Sequence, residues 1–188
     1  MSDRYLNGRT ALVTGSVGGL GNAIAAGLAA VGANIVLNGL EPAEEGAGAA
    51  SKIESAYDVE AIFDPSDVSD LHQIKRMIDN ANARFGGIDI LVNNAVVRNF
   101  SAIEDLHPEA WDRSIAVNLS AAFHAVRLVL PGMKTRSWGR IINMSSVFGW
   151  RGASERIDYV TTKTALIGLT RGIAVETAAS GVTANALS

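Results

Sequence analysis

The sequence of 188 residues contains no cysteine, only four prolines and only 6% aromatic residues. The absence of cysteine excludes disulfide bonds and thiolate chemistry. The three histidines are far apart and show no ligand spacing, so we expect no metal site. Acids and bases are interspersed with a net charge of −3, which gives no basic stripe for nucleic acid. The N-terminal segment MSDRYLNGRT has no apolar signal region and no apolar run reaches transmembrane length, so we expect a cytoplasmic protein without a membrane segment.

Hydrophobic residues make up 48% of the sequence, enough for one globular domain of this length. Short aliphatic runs such as TALVT, NIVLN and IDILVNN alternate with longer segments of helical periodicity, and residues 108–133 predict one long helix. Six predicted strands alternate with helices in this way. The alternation predicts an α/β fold with a doubly wound, Rossmann-type parallel sheet and right-handed crossovers, in a single domain spanning residues 1–188.

A glycine-rich turn, TGSVGGLG, joins the first predicted strand to a helix. Gly15, Gly19 and Gly21 would let the backbone approach a pyrophosphate, and the helix N-terminus offers free N–H groups. Glycine also serves ordinary turns, and the spacing GxxxGxG differs from the common GxGxxG fingerprint. The position of the turn within a βαβ unit favours a dinucleotide site.

The end of the second strand, LNGLEP, bears on the choice of cofactor. An acid that binds the adenosine ribose is expected there if the cofactor is NAD, but the place holds Gly39 and the first acid is Glu41. No lysine or arginine stands there to bind a 2′-phosphate either. The missing cation argues against NADP more firmly than the missing acid argues against NAD, so we predict NAD.

The segment IDYVTTK places Tyr159 and Lys163 four residues apart. In a helix these side chains lie on one face, one turn apart. A lysine cation beside a phenol favours the phenolate, which would make Tyr159 a proton donor and acceptor near neutral pH. The spacing alone also fits a surface tyrosine beside a solvated lysine, so the other motifs have to decide.

Four motifs, TGSVGGLG, DILVNNA, NMSSVFG and YVTTK, resemble in order and spacing those of the short-chain dehydrogenase/reductase family. The resemblance runs from Arg9 to the last residue. The phrases IVLNG, AVNLSAAFH, GRIIN and VETAASGVTANA are most similar to the 3-hydroxybutyrate dehydrogenases within this family. The resemblance implies an NAD-dependent oxidoreductase that moves a hydride between the nicotinamide and a secondary alcohol or ketone.

The resemblance implies four catalytic residues. Tyr159 would be the acid/base, and Lys163 would bind the nicotinamide ribose and favour the phenolate. Ser146 would hydrogen-bond the substrate oxygen, and Asn118 would hold a helix kink and a water molecule that links Lys163 to solvent. Without the resemblance, Ser146 is an ordinary serine at a strand end and Asn118 is a mildly unfavourable helix residue.

The resemblance also implies a set of cofactor-binding residues. Asp67 and Val68 would lie at the adenine and Asn94 on the adenosine side, although Asp67 would equally serve as the N-cap of the next helix. The full set is Gly15, Ser16, Gly19, Leu20, Gly21, Asn38, Leu40, Asp67, Val68, Asn94, Tyr159 and Lys163.

The substrate pocket departs from the family pattern. Val96 stands where the family keeps a glycine beside the cofactor, and it would narrow the site or shift the nicotinamide. Arg98, Phe148 and Arg156 occupy positions that hold glutamine, histidine and lysine in the hydroxybutyrate dehydrogenases. With Ser146 they predict a pocket for an anionic substrate with an apolar portion, such as a hydroxy acid; two solvated arginines are the alternative.

The sequence stops at TANALS, before the Pro-Gly turn, the substrate lid and the last strand of the family fold. We expect the sixth strand to be a sheet edge and the chain to be the ordered part of a longer enzyme, with a fragment or a truncated form as alternatives. The leading function is a dehydrogenase, and the alternative is a nucleotide-binding or assembly module without turnover. The resemblance also implies a homodimer or homotetramer formed through residues 108–133 and 159–179.

Overall fold

A computed structural model describes residues 4–188; residues 1–3, which belong to the N-terminal segment considered for a signal, lie outside the described residues. The strands are β1 (Thr10–Val13), β2 (Asn34–Asn38), β3 (Ala61–Asp64), β4 (Ile90–Asn93), β5 (Gly139–Met144) and β6 (Val182–Leu187). The α-helices are α1 (Gly19–Ala30), α2 (Ala43–Tyr57), α3 (Leu71–Phe85), α4 (Pro108–Ile115), α5 (Ala121–Thr135) and α6 (Ile157–Thr177).

All six strands pair in parallel in one sheet, in the order β3-β2-β1-β4-β5-β6. The predicted doubly wound α/β fold is confirmed, and β6 is an edge strand. The strand order reverses between β1 and β4, which leaves a crevice at their carboxyl ends. The glycine-rich turn follows β1 and the loop of residues 94–107 follows β4, so both line this crevice.

The core has two halves, one on each face of the sheet. Because side chains alternate along a strand, Leu12 of β1 faces one half while Ala11 and Val13 face the other. The half around Leu12 packs against α3, α5 and α6, and the other half packs against α1 and α2. With right-handed crossovers, α1 and α2 lie on one face because the chain moves from β1 to β3 in one direction along the sheet. The helices α3, α5 and α6 lie on the other face because the chain then moves towards β6 in the opposite direction.

The predicted long helix of residues 108–133 is interrupted. Between α4 and α5 lies a π-helical turn, Ala116–Ser120, which contains Asn118. A π turn inserts an extra residue and widens the helix locally, and such turns are frequent at functional sites. The sequence pattern predicts the helical stretch but not the interruption, because apolar periodicity does not distinguish one wide turn from α-helix.

By length and composition alone, the helical segment Pro108–Thr135 could cross a membrane, since an 18-residue window within it reaches a mean hydropathy of 1.4. The expectation that no apolar segment reaches transmembrane length is therefore wrong. Ala125, Val129 and Met133 of this segment lie in the core against the sheet, and charged Arg127 is exposed on its other side. The apolar composition is thus used for packing within this fold.

Core packing also accounts for most of the apolar residues that predict an interface between subunits. Ala122, Val126, Leu166 and similar residues of α5 and α6 are buried within the chain itself. Phe123 on α5 remains 49% exposed and Val175 on α6 remains 79% exposed. The predicted oligomer stays a prediction, and these two residues are the ones left to support it.

Candidate active site

A long groove occupies the crevice at the carboxyl edge of the sheet. One part has a volume of about 430 Å³ and a second part about 220 Å³, and both are lined by Gly15 and Val96. The larger part extends to Tyr159 and Lys163, and the smaller part extends to Leu40 and neighbouring residues. Val96, the departure from the family glycine, therefore lies where the two parts meet.

The glycine-rich turn has no room for side chains at its closest contacts. A Cβ atom on Gly21 would lie 2.2 Å from the Gly15 carbonyl oxygen and 2.6 Å from Asn94 Nδ2. Gly15 itself has a φ of +61°, and a Cβ there would lie 2.9 Å from the Ala95 Cα. The turn thus forms a backbone-lined cradle at the N-terminus of α1, and Leu20 lines the larger part of the groove beside it, whereas exposed Gly19 does not.

Two of the predicted cofactor-binding residues support the turn from beneath. Ser16 is fully buried; its hydroxyl donates to the Val13 carbonyl at 2.6 Å and accepts from the Asn38 amide at 3.1 Å. The Asn38 side chain donates to the carbonyl groups of Asp64 and Ser66, at 3.1 and 2.8 Å. The side chain of Ser16 therefore faces the protein interior, whereas Asn38 also lines the smaller part of the groove.

Asn94 joins the end of β4 to the same turn. Its side-chain amide donates to the carbonyl groups of Thr14 and Gly15, at 2.9 and 2.8 Å. The hydroxyl of Thr14 accepts from the Asn94 and Ala95 amides in return. These bonds fix the two loops that flank the crevice relative to each other.

The smaller part of the groove contains a cation that the sequence pattern does not predict. Leu40, Asp67 and Val68 line it, and so does Arg113 from α4. Arg113 Nη1 lies 3.0 Å from Asp67 Oδ2 and also donates to the Ser69 hydroxyl. Burial alone would raise the pKa of Asp67, but the bonds from Ser69 and Arg113 and the arginine charge lower it. The cap of α3 is Asp70, whose side chain accepts from the His72 amide, so Asp67 is not the N-cap.

Glu41 also lines the smaller part of the groove. A Cβ atom on Gly39 would lie 1.9 Å from Glu41 Oε2, so the carboxylate fills the space beside Gly39 where the ribose-binding acid is expected. Its Oε2 is buried and has no hydrogen-bond partner. The spacing of twenty residues between Gly21 and Glu41 is the signal that would have found it, since the ribose acid follows the glycine turn at about that distance.

Three basic side chains surround the ring of Tyr159 at the other end of the groove; Arg98 and Lys163 line the groove, whereas Arg156 lines a neighbouring cavity. The guanidinium carbons of Arg156 and Arg98 lie 4.6 and 5.9 Å from the ring centre, and Lys163 Nζ lies 5.6 Å from it. Arg156 also stacks on Phe100 at 4.1 Å, and its buried Nε has no hydrogen-bond partner. Among residues 4–188, none of the three bases forms an ion pair within 4 Å.

Lys163 is buried on α6, and its Nζ donates to the Met144 carbonyl at 2.5 Å. Burial and the nearby positive charge of Arg98 lower the pKa of Lys163 to about 8. The Ser145 hydroxyl donates to the Lys163 carbonyl at 2.8 Å, which ties α6 to the end of β5. Lys163 therefore gives up its proton more readily than an exposed lysine, while it is held one turn from Tyr159.

Ser146 and Phe148 lie beside this end of the groove. The Ser146 hydroxyl accepts from the Phe148 amide at 3.2 Å and caps the short 3₁₀ turn Val147–Gly149. Phe148 packs edge-on against Tyr159 with ring centres 6.4 Å apart. Ser145 rather than Ser146 lines the groove itself, so a substrate oxygen has to reach Ser146 at the margin.

Asn118 lies in the π turn and bonds to the loop after β4. Its Oδ1 accepts from the Val97 amide at 2.8 Å, and its Nδ2 donates to the Val97 carbonyl at 3.0 Å. Nδ2 also lies 3.4 Å from the Thr162 hydroxyl of α6. The side chain of Asn118 therefore connects the π turn, the loop after β4 and α6. It holds the loop at Val97, the residue that precedes Arg98.

Comparison with known proteins agrees with this geometry. The family model described as short chain dehydrogenase matches residues 9–188. The chain belongs to the short-chain dehydrogenase family. It is 47% identical over 182 residues to the D-beta-hydroxybutyrate dehydrogenase of Cupriavidus necator, covering 97% of this chain and 70% of that protein. It is 44% identical to the enzyme of that name from Rhizobium meliloti, covering 95% of this chain and 69% of that protein.

The solved structures include a metagenomic short-chain oxidoreductase in complex with NADP. Its TM-score with this short-chain dehydrogenase is 0.91 at 34% identity, and the match covers 96% of this chain and 81% of that one. The cradle at Gly21 and the unpartnered Glu41 oxygen show that the residues present fit a dinucleotide along the groove. A nicotinamide cofactor of this family would lie between the glycine-rich turn and Tyr159.

Proposed function

We propose that this short-chain dehydrogenase transfers a hydride between NAD(H) and a secondary alcohol or ketone, and that its substrate is a hydroxy acid or the corresponding keto acid. The observation that carries the proposal is the juxtaposition of Tyr159 and Lys163 at one end of a groove whose middle is the glycine-rich cradle. The relatives that are D-beta-hydroxybutyrate dehydrogenases support the substrate class.

The proton step is assigned to residues of this chain. The bound cofactor supplies or accepts the hydride at the substrate carbon. The Tyr159 hydroxyl donates a proton to the ketone oxygen during reduction and takes it back during oxidation. Because its pKa is lowered to about 8, Lys163 can return a proton to the Tyr159 hydroxyl. While Lys163 is charged, it also favours the phenolate form of Tyr159. The Ser146 hydroxyl accepts a hydrogen bond from the Phe148 amide, so that bond leaves its own hydrogen available. It donates this hydrogen to the substrate oxygen that Tyr159 protonates.

The charge around Tyr159 supports an anionic substrate. Arg98 and Arg156 lie within 6 Å of the ring centre and have no ion-pair partner among the described residues. A carboxylate can accept from the planar fork of an arginine, which is a stronger contact than a neutral hydrogen bond. Phe100 and Phe148 beside the arginines leave an apolar surface for the rest of the substrate.

NAD is the proposed cofactor because of Glu41. A carboxylate without a partner in the adenosine half of the groove accepts hydrogen bonds from ribose hydroxyls and repels a 2′-phosphate. Arg113 is the basic residue in this half, and its charge is already paired with Asp67. The proposal extends to a homodimer or homotetramer, which the family resemblance implies, and to a cytoplasmic location, which stays a prediction from the sequence.

The proposal is tested by a hydride-transfer screen with NAD and NADP against hydroxy acids, their esters and neutral secondary alcohols. We expect turnover of an acid with NAD, and weaker turnover of its ester. Arg156→Ala should raise the KM of the acid by the equivalent of about 1.5–3 kcal/mol, the value of a charged hydrogen bond, and affect the ester much less. Glu41→Gln should weaken NAD binding and improve NADP binding in a direct titration.

Three results would count against parts of this proposal. Equal efficiency with NADP in the wild-type protein would remove the role of Glu41. A preference for neutral alcohols would remove the anionic substrate. Cofactor binding without turnover of any compound would favour a nucleotide-binding module over an enzyme.

A further inference from the structure

The carboxyl group of Asp158 lies next to the proposed acid/base in sequence, yet the proposed mechanism does not use it. Asp158 is 1% exposed, and no basic residue among those described lies within ion-pair distance of it. A buried carboxylate without a cation is destabilising unless its oxygens accept hydrogen bonds. Its location in the first turn of α6, where the helix dipole favours a negative charge, offsets part of that cost.

The remaining stabilisation comes from two donors on other elements. The Ser114 hydroxyl of α4 donates to Asp158 Oδ2 at 2.5 Å, and Asn99 Nδ2 donates to the same oxygen at 2.8 Å. Asn99 Nδ2 also lies 3.0 Å from the Ser114 hydroxyl, which closes the cluster. One carboxylate oxygen thus joins α4, α6 and the loop after β4.

The loop position held by this cluster matters because of its neighbours. Arg98 precedes Asn99 and lines the groove near Tyr159, while Phe100 follows it and stacks on Arg156. Asn118 holds the backbone of Val97 on the other side of Arg98. Arg98 is therefore presented to the groove between two points at which the loop is bonded to the protein.

We propose that Asp158, Ser114 and Asn99 are positioning residues that fix the loop carrying Arg98 and Phe100, and that they thereby set the preference for substrates with an anionic group. The inference rests on the proposed function, because it concerns how well the arginines meet a substrate carboxylate. None of the three residues lines either part of the groove, so the cluster acts on substrate binding through the loop and not on the proton step.

The test compares Asn99→Ala with wild type, using D-3-hydroxybutyrate and its ethyl ester as probes, together with the best acid of the screen and its ester. We expect the KM of the acid to rise about tenfold, because Arg98 then forms a poorly aligned and weaker hydrogen bond with the substrate carboxylate. The KM of the ester, the kcat for both compounds and the dissociation constant of NAD should change less than about twofold. Asn82→Ala, at an exposed position on α3, is the control for loss of an asparagine amide.

Conservative replacement separates positioning from a need for the charge itself. Asp158→Asn retains an oxygen that accepts from both donors, so its KM for the acid should stay near wild type, whereas Asp158→Ala should behave like Asn99→Ala. Ser114→Ala removes one of the two donors to Asp158 together with the contact to Asn99, but it leaves the bond from Asn99 to Asp158. It therefore provides a milder variant if the others fail to fold. Its effect should have the same direction and be smaller.

A double-mutant cycle distinguishes failure of this inference from failure of the proposed function. If Arg98→Ala raises the KM of the acid, adding Asn99→Ala to it should have little further effect, because both changes remove the same contact. Additive effects, or equal effects of Asn99→Ala on acid and ester, would overturn the positioning role. If Arg98→Ala and Arg156→Ala leave the acid's KM unchanged, or if no acid is turned over, the proposed anionic substrate fails and the inference fails with it.

Discussion

Lys163 illustrates how position within the fold changes the chemistry of a single residue. Its side chain is 3% exposed, and burial together with Arg98 lowers its pKa from 10.5 to about 8. Because the unfolded chain keeps the ordinary pKa, folding at neutral pH requires a charged amine to be buried beside a like charge. That cost is fully present below about pH 8 and is lost as the pH rises from about 8 towards 10.5.

Lys163→Met should therefore stabilise the protein at pH 7, by an amount on the order of 2 kcal/mol after allowance for the lost bond to the Met144 carbonyl. The advantage should shrink at pH 9.5, because the folded-state amine is then mostly neutral and the proton that the unfolded lysine gives up on folding is less costly to remove. Urea denaturation at both pH values measures this difference. A constant difference at the two values would mean that the folded pKa of Lys163 is not lowered.

The residues of the site differ in how far the sequence alone could place them. Tyr159, Lys163 and the turn glycines follow from motifs whose spacing carries a physical reason. Other features depend on side-chain directions that only the tertiary fold sets. They are the inward direction of Ser16, the position of the Glu41 carboxylate beside Gly39 and the Asp158 cluster. Arg113 reaches the groove from a helix distant in sequence, and no local pattern indicates it.

At the scale of elements, helix α1 begins in the cradle that the proposed cofactor requires. Gly21 and Gly27 both lie on this helix, but a Cβ atom on Gly21 would overlap the Gly15 carbonyl, whereas one on Gly27 meets nothing within 4 Å. The same substitution therefore has opposite consequences at the two positions. A side chain at Gly21 has no space, whereas a side chain at Gly27 would extend into open space.

Gly21→Ala should destabilise the protein by roughly 1–3 kcal/mol through overpacking and should abolish measurable NAD binding, because the turn has to open to relieve the contact. Gly27→Ala, the matched control, should stabilise it by about 0.5–1 kcal/mol through helix propensity and leave NAD binding unchanged. Thermal unfolding and a cofactor titration of both variants give the comparison. Normal NAD binding by Gly21→Ala would show that the cradle is not where the dinucleotide lies.

The elements themselves were largely predictable, because strands and helices of this fold differ in period and length. The exception is the π turn at Ala116–Ser120, which depends on the bonds that Asn118 makes with the loop after β4. A sequence pattern of apolar residues continues through this turn without change. The interruption is thus set by a tertiary contact and not by local propensity.

At the scale of the whole molecule, the sheet order follows from alternation and right-handed crossovers, whereas assembly does not. The apolar residues of α5 and α6 serve the chain's own core, and Phe123 and Val175 are those left exposed on these helices at 49% and 79%. A surface of this kind is consistent with pairing of the two helices across a two-fold axis, as the family resemblance implies.

We predict that the protein sediments as a dimer or tetramer at micromolar concentration, and that Phe123→Asp shifts it to smaller species because a charge is then placed in the apolar contact. Tyr5→Asp, at an exposed aromatic residue outside these helices, is the control and should leave the distribution unchanged. Analytical ultracentrifugation distinguishes the outcomes. A strictly monomeric wild-type protein would exclude the assembly.

In the proposed mechanism Tyr159 exchanges a proton with the substrate while the remainder of the groove holds the cofactor. The most direct measurement is the comparison of wild type and Tyr159→Phe by steady-state turnover of the best hydroxy acid and by NAD titration. We expect kcat to fall at least about 10²-fold, the usual contribution of a general acid/base, with the NAD dissociation constant nearly unchanged. A wild-type kcat in Tyr159→Phe would exclude Tyr159 as the acid/base.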